Sequence, residues 1–281
     1  MNDEVLISAS LIPLQQFGKT GHIHSVFSHS FNIKIGQQLL HISSYQNYLS
    51  NFGIYLPRIV VENLLTKIEI GNFVKIKNDQ LIIYTLAETL KISLIEGQAY
   101  SLKLPHLEIS YEKLQQVLTA LASFDLPTKI GLNIPTEIVE KLVSPQLLAE
   151  TEIASVVDYL FGRGQGLTPS GDDILVAYLA TLKVLQLTRG QQLSIYLQNR
   201  TNLQTTDISQ AYLLGVLQEE VSLPVLKFFK SIQQEKTITE IIQAFKRILA
   251  IGHTSGKDLA YGSYLALQYA QNIRNLKTNK K

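Results

Sequence analysis

The chain has 281 residues, of which 46% are hydrophobic, and it carries a formal net charge of +2 and no cysteine. This length and composition suit a globular protein of one large or two modest domains with a substantial core. The near-neutral charge provides no basic field for nucleic acid, and the lack of cysteine excludes disulfides, thiolate metal ligands and cysteine nucleophiles.

The first residues predict neither a secretory signal nor a membrane anchor. Two acidic residues precede a short apolar run, whereas a secretory signal needs a basic leader and a longer apolar stretch. No window of 18 residues is unbroken apolar sequence, so no segment is expected to span a bilayer. We therefore expect a cytoplasmic protein that does not bind membranes.

Short β-favouring segments separated by turn signals occupy the first 105 residues. Residues 72–77 and 80–86 alternate apolar and polar positions around Asn78-Asp79, which is typical of a hairpin. Gly36 separates two further segments and predicts a second hairpin. Spacing of this kind predicts a largely antiparallel sheet or a small barrel. Its other strands are expected at 5–12, 22–35 and 37–43.

After Pro105 the apolar residues recur with a helical period. Residues 110–124 begin with a serine and continue with leucine and valine on one face, which predicts a helix capped by Ser110. Similar patterns predict eight more helices, at 136–148, 151–161, 172–187, 191–199, 207–217, 224–233, 239–251 and 257–273. Strands followed by helices indicate an α+β protein. We expect a β-rich domain over 1–105 and a helical domain over 106–281.

The segment GRGQGLTPSGDD, at 162–173, contains four of the 16 glycines. Part of it fits an ordinary helix start, because Ser170 could cap the helix in a motif close to a capping box. The acidic residues Asp172 and Asp173 suit the positive end of the helix dipole. They would stand about 100° apart, so only one of them would face a site at the helix start.

A simple cap leaves several small residues of this segment unexplained: Gly166, Thr168, Ser170 and Gly171. Small residues around a helix start leave N–H groups free, which is how proteins hold phosphates and carboxylates. The segment therefore predicts a site for a small carboxylate or phosphate ligand. No lysine follows the last glycine, so this is not a Walker loop. An inward aspartate could hold Mg²⁺ through water or orient a substrate amide, and no cluster predicts a tightly held transition metal.

The same S-G-x-D pattern returns in GHTSGKD, at 252–258. The two copies could be independent caps, or they could face each other and bind one ligand with two anionic or carbonyl groups. In the second case Ser170 and Ser255 should lie within about 12 Å of each other. His253 adds a possible proton donor next to the second copy.

Two further segments carry weaker signals. Thr205, Thr206 and Ser209 stand at another predicted helix start, where an ordinary threonine or aspartate cap is the favoured interpretation. His22, His24 and His29 are best explained as surface histidines of a strand. His29 would lie on the opposite face of an unbroken strand, which weakens a three-histidine metal site.

The motifs resemble a bacterial family long described as of unknown function, which includes the H subunit of oxamate carbamoyltransferase. The similar segments are GRGQGLTPSGDD, HSVFSHSFNI, TTDISQAYLLG and GHTSGKDLAYG. The resemblance implies a role in anaerobic purine and allantoin breakdown, in which oxalurate and phosphate give oxamate and carbamoyl phosphate. It also implies a hetero-complex, because the H subunit acts there with two other kinds of subunit.

These substrates are small anions rich in hydrogen-bond acceptors, which suit helix N-termini and hydroxyls. Thr168, Ser170 and the Gly171 N–H are the expected anion holders, and fixed N–H donors would stabilise an oxyanion on the attacked carbonyl. The candidate catalytic residues are Asp172, Asp173, His253 and Ser255. The candidate substrate-binding residues are Gly166, Thr168, Ser170, Gly171, Thr205, Thr206, Ser209, Thr254, Gly256 and Asp258. Two alternatives remain open at this point. One is a non-catalytic ligand-binding or scaffold subunit, and the other is a Mg²⁺-dependent phosphotransferase that uses the paired aspartates.

Overall fold

The computed structural model describes residues 4–45, 47–77, 79–200 and 204–278. The chain divides into two compact units, Met1–Leu102 and Lys103–Lys281. The first unit holds the nine described strands, and the second holds nine of the ten described α-helices. The fold is therefore α+β, as the sequence predicted.

The first unit is built on one nine-stranded sheet with the strand order β8-β7-β6-β2-β3-β4-β5-β1-β9. Most neighbouring strands are antiparallel, and only β4–β5 and β1–β9 are parallel among the described pairs. One helix, α1 (Arg58–Leu65), belongs to this unit. The strands are β1 (Leu6–Ser8), β2 (Thr20–Val26), β3 (Ser30–Ile35), β4 (Gln38–Ser43), β5 (Gly53–Tyr55), β6 (Phe73–Lys77), β7 (Gln80–Tyr84), β8 (Thr89–Ser93) and β9 (Gln98–Tyr100).

Both predicted hairpins are present in the sheet. Ile35 pairs with Gln38 across a turn in which Gly36 has a φ of 56°, a left-handed conformation that favours glycine. The strands β6 and β7 also pair antiparallel, and Lys77 faces Gln80 at the turn. The Asn78 half of that predicted turn lies outside the described residues.

Two of the predicted strands are wrong in extent. Residues 22–35 form two strands rather than one, because the chain reverses where the Phe27 N–H donates to the Ser30 carbonyl at 2.8 Å. His29 therefore lies in the turn between β2 and β3. The strand expected at 5–12 is extended only over Leu6–Ser8, and a 3₁₀ turn follows it.

The second unit consists of helices that pack around α5, whose residues are almost all buried. The α10 backbone approaches α5 closely at Gly262, where a Cβ atom would stand 2.2 Å from the Ile174 carbonyl oxygen. The helices are α2 (Tyr111–Ala122), α3 (Thr136–Val143), α4 (Glu150–Leu160), α5 (Ser170–Val184), α6 (Thr188–Gln198), α7 (Asp207–Leu217), α8 (Leu223–Gln233), α9 (Ile238–Leu249) and α10 (Ser255–Thr278). Each of these corresponds to a helix that the sequence predicted.

The predicted cap of α2 is confirmed. The Ser110 hydroxyl caps α2 by accepting the Lys113 N–H at 3.1 Å. Four apolar residues of α5 are completely buried: Ile174, Leu175, Leu179 and Leu182. No described helix combines the length and the apolar composition that crossing a membrane requires.

Candidate functional site

Both S-G-x-D segments open a helix at their serine, α5 at Ser170 and α10 at Ser255. The residue before each serine supplies the first helical carbonyl: Pro169 accepts the Asp172 N–H at 2.9 Å, and Thr254 accepts the Lys257 N–H at 2.8 Å. The prediction of a helix start at 170 is therefore confirmed. The interpretation in which Ser170 caps the helix is wrong, because Pro169 occupies the cap position.

The glycine of each segment is explained by packing. A Cβ atom on Gly171 would stand 1.9 Å from the Leu160 carbonyl oxygen, and one on Gly256 would stand 2.2 Å from that of Ile248. Each glycine thus lets the new helix begin against the end of the preceding one. The Gly171 N–H also donates to the Arg163 carbonyl at 2.8 Å. This N–H is bonded within the chain, and its expected role in holding a ligand anion stays a prediction.

The structure brings the side chains of the two segments together. The Thr168 and Ser255 hydroxyl oxygens lie 2.7 Å apart in a hydrogen bond. The hydroxyls of Ser255 and Thr168 interact with the Asp173 carboxyl, and those of Ser170 and Thr254 interact with the Asp258 carboxyl. We call this group the hydroxyl–carboxylate cluster; its members are Thr168, Ser170, Asp173, Thr254, Ser255 and Asp258.

The two carboxyls of the cluster are deeply buried. The exposed fractions of Asp173 and Asp258 are 5% and 0%, and the Oδ2 atom of each has no hydrogen-bond partner among the described residues. Burial raises the pKa of Asp173 well above its usual range, and the neighbouring Asp258 acts in the same direction. Burial also raises the pKa of Asp258. Each of these oxygens therefore lacks, among the described residues, the hydrogen-bond partner that a buried carboxyl requires.

Asp172 faces away from the cluster and braces the loop. Its Oδ1 atom accepts the Gly162 N–H at 2.7 Å, and its Oδ2 atom accepts the Thr205 hydroxyl. The two adjacent aspartates therefore diverge, as expected from their angular separation on a helix. Only Asp173 faces the second S-G-x-D segment.

The third predicted helix start ties the loop to α7. Thr206 caps α7 by accepting the Ser209 N–H at 3.1 Å, and its hydroxyl donates to the Leu167 carbonyl at 2.5 Å. The cap interpretation of this segment is confirmed. The Ser209 hydroxyl is buried and has no partner among the described residues.

Two candidate residues lie on the surface next to the cluster. His253 is exposed, and no described residue forms a hydrogen bond or an ion pair with its ring, while its carbonyl accepts the Lys257 ammonium. Gly166 has a φ of 86° and open space where a Cβ atom would be, so its backbone conformation accounts for the glycine. The described residues contain no group of three or more His, Cys, Asp or Glu side chains arranged to hold a metal ion.

Sequence reasoning missed the loop around Gly131, which contacts both segments. The Gly131 N–H donates to Asp258 Oδ1 at 2.8 Å. A Cβ atom at this position would stand 2.3 Å from the Ser170 hydroxyl oxygen and 3.3 Å from the Thr254 Cβ atom. A single glycine between two predicted helices carries no chemical signal, so only the folded chain identifies this contact.

The comparisons with known proteins cover most of the chain. The family model described as oxamate carbamoyltransferase subunit AllH matches residues 160–267, and that of the AllH family N-terminal domain matches residues 4–99. The chain belongs to the AllH family. This membership confirms the resemblance and supports a role as a subunit of oxamate carbamoyltransferase. The match at 160–267 contains both S-G-x-D segments. No solved structure matches the chain.

The raised pKa of Asp173 predicts how stability depends on pH. Above about pH 4 the unfolded chain releases this proton while the folded chain keeps it, so the free energy of unfolding falls as pH rises toward the raised pKa. Asparagine has nearly the same shape and does not ionise. We therefore expect Asp173→Asn to gain stability relative to the parent protein as pH rises above about 4, in urea unfolding at a series of pH values.

The control for this prediction is Asp125→Asn, at an exposed position. Its stability relative to the parent should not follow the same pH dependence. If the free energies of unfolding of Asp173→Asn and of the parent changed in parallel with pH, Asp173 would ionise normally in the folded chain.

Proposed function

We propose that this chain supplies the site that holds the carbamoyl end of oxalurate in an oxamate carbamoyltransferase assembled with other subunits, within purine catabolism. The observation that carries the proposal is the pair of buried carboxyl oxygens, Oδ2 of Asp173 and of Asp258, that lack donors among the described residues. Half-buried hydroxyls of Thr168, Thr254 and Ser255 lie next to them.

The carbamoyl group of oxalurate complements this set of atoms. Its terminal amide has two N–H donors, which carboxyl oxygens accept, and its carbonyl oxygen accepts hydrogen bonds from hydroxyls. A buried acceptor without a donor costs about 1–3 kcal/mol, and the ligand amide would remove that cost. Binding of the carbamoyl group would thus satisfy both Asp173 and Asp258.

The orientation of the ligand follows from the charges. Two aspartates at the starts of α5 and α10 offset the positive ends of the two helix dipoles. The N–H groups of Gly171 and Gly256 are already bonded to the Arg163 and Ile251 carbonyls. The carboxylate end of oxalurate therefore points away from the aspartates, toward the exposed loop at 163–167.

The same residues have roles in the transfer step. A hydrogen phosphate oxygen attacks the carbamoyl carbon, the bond from that carbon to the oxamate nitrogen breaks, and this nitrogen takes up a proton. We assign this proton to Asp173, whose pKa is raised by burial, and the proton released by the attacking phosphate restores the acid. The Thr168 and Ser255 hydroxyls share one hydrogen bond, and the hydroxyl that accepts in it donates its own proton to the carbonyl oxygen as negative charge develops there.

The test is the rate of oxamate formation by the enzyme assembled from this chain and its partner subunits. General acid–base catalysis contributes about 10²–10⁴-fold to rates, so we expect Asp173→Asn to lower the rate by at least about 10²-fold. Asp125→Asn, which is exposed, should retain the parental rate.

Assembly is checked in parallel by size-exclusion chromatography, and each assay is repeated with and without Mg²⁺. A complex that contains Asp173→Asn and keeps at least about half of the parental rate would contradict the proposal, since general acid–base contributions are far larger. That result would instead favour a scaffold role for this chain. Activity that requires Mg²⁺ in the parent, and is lost in Asp258→Asn, would move the proposal toward a cation bound by the two carboxyls.

A further inference from the structure

A groove with an excess of positive charge runs along the surface between α8 and α9, and it is separate from the hydroxyl–carboxylate cluster. The two helices are held together on their inner side by Phe228 and Phe245, whose ring centroids are 5.3 Å apart. On the outer side, the small residue Ala244 leaves space for a groove of about 440 Å³. This volume is within the range of sites that bind small molecules.

Four cationic side chains and one carboxylate line this groove: Lys227, Lys230, Lys236, Arg247 and Glu240. Glu240 forms a capping box at the start of α9, where its carboxylate accepts the Thr237 N–H at 3.0 Å and the Thr237 hydroxyl at 2.8 Å. The nearest cation to it is Lys236, at 3.9 Å. The acid offsets one of the four positive charges, so the groove keeps an excess of three.

The other three cations have no ion-pair partner in the described part of the chain: Lys227, Lys230 and Arg247. Lys227 and Lys230 are half-buried on α8. Burial lowers the pKa of Lys227, and the nearby Arg247 guanidinium lowers it further. Like charges held together in this way are stabilised by an anion that bridges them.

We propose that the groove binds a small molecule that carries a phosphate group, with Arg247, Lys227 and Lys230 contacting the phosphate oxygens. The guanidinium matches two phosphate oxygens at once, and the ammonium groups add point charges. Gln243 lines the same groove and provides a neutral donor for the rest of the ligand. This inference does not depend on the proposed function, because it uses none of the residues of the cluster.

The test is calorimetric titration of the full-length chain with ADP, inorganic phosphate and malonate in separate arms. We expect ADP to bind at one saturable site, and Arg247→Gln to weaken it by about tenfold, which is the loss of one charge-assisted contact. Lys246→Gln is the matched control, because it removes the same charge from the next residue of α9, which does not line the groove. It should bind ADP as the parent does.

The remaining arms separate the possible outcomes. Inorganic phosphate that competes with ADP would identify the phosphate as the recognised group. Asp173→Asn should bind ADP normally, which distinguishes this groove from the cluster. No saturable binding of either phosphate-bearing compound would overturn the proposal. The proposal would also be overturned if malonate bound as tightly as ADP, or if Lys246→Gln weakened ADP binding as much as Arg247→Gln does. Either result would show unspecific attraction of charge.

Discussion

Gly171→Ala is expected to destabilise the helical unit by about 3 kcal/mol, the upper part of the range for overpacked cores. The added Cβ atom would stand 1.9 Å from the Leu160 carbonyl oxygen. That oxygen belongs to the backbone at the end of α4, so it cannot move aside as a flexible side chain could. Relief of the clash requires α5 to shift away from α4. Urea unfolding of the variant and of the parent measures the decrease in the free energy of unfolding.

Gly166→Ala is the matched control for this prediction. It adds the same methyl group to a glycine in the loop that precedes Ser170, the first residue of α5. The added Cβ atom at Gly166 would meet no atom within 4 Å, and the only penalty comes from the φ of 86°. We expect a loss of about 1 kcal/mol from that conformation. Equal stabilities of the Gly166 and Gly171 variants would contradict the packing explanation of Gly171.

Arg189→Ala is expected to cost about 4 kcal/mol, because one buried side chain satisfies several backbone acceptors at about 1 kcal/mol each. Arg189 is 1% exposed, and its guanidinium stacks on the Tyr269 ring with its central carbon 3.9 Å from the ring centroid. It donates to four carbonyls at the end of α3 and beyond: Lys141 at 3.0 Å, Leu142 at 2.9 Å, Ser144 at 2.9 Å and Gln146 at 2.6 Å.

These contacts make Arg189 the C-terminal cap of α3, supplied from α6. The control is Arg163→Ala, because that guanidinium also stacks on a ring, at 4.4 Å from the Tyr159 centroid, and donates to one carbonyl, but it is exposed. We expect this control to lose about 0.5 kcal/mol. A loss in Arg189→Ala no larger than that of the control would show that the α3 carbonyls find other donors.

The helices could be predicted from the sequence because their signals are local. The pattern at 207–217 predicted α7 with the bounds Asp207–Leu217. Apolar residues on one face and a cap residue in front determine such an element within one stretch of chain. The hairpins at Gly36 and at Lys77–Gln80 were predictable for the same reason.

The shorter elements of the sheet could not be predicted from the sequence. The strands β5 (Gly53–Tyr55) and β9 (Gln98–Tyr100) have three residues each, which is too short for an alternating pattern. Their neighbours are distant along the chain, since Leu6 of β1 pairs with Gln98. The reversal between β2 and β3 was missed because the residues at 27–29 include neither glycine nor proline.

At the candidate site, the repeat of S-G-x-D predicted two helix starts, and the Thr168–Ser255 hydrogen bond joins them in the structure. The roles of the glycines were not predictable, because they depend on carbonyls of other helices, such as Leu160 for Gly171. The sequence therefore identified the polar residues of the cluster. Only the fold shows that Asp173 and Asp258 form its buried pair, whereas Asp172 holds the loop through hydrogen bonds.

The most direct test of the hydroxyl–carboxylate cluster as a ligand site is calorimetric titration of oxalurate into the assembled enzyme. The titration compares the parent with Asp173→Asn, Ser255→Ala and the double variant. We expect each single change to weaken binding by about tenfold, the loss of one hydrogen bond to a buried or charged group. In the double variant, the fold-weakening of oxalurate binding should be smaller than the product of the two single-variant effects, because both residues touch one ligand. Oxalurate binding with the parental Kd in both single variants would contradict the assignment of this site.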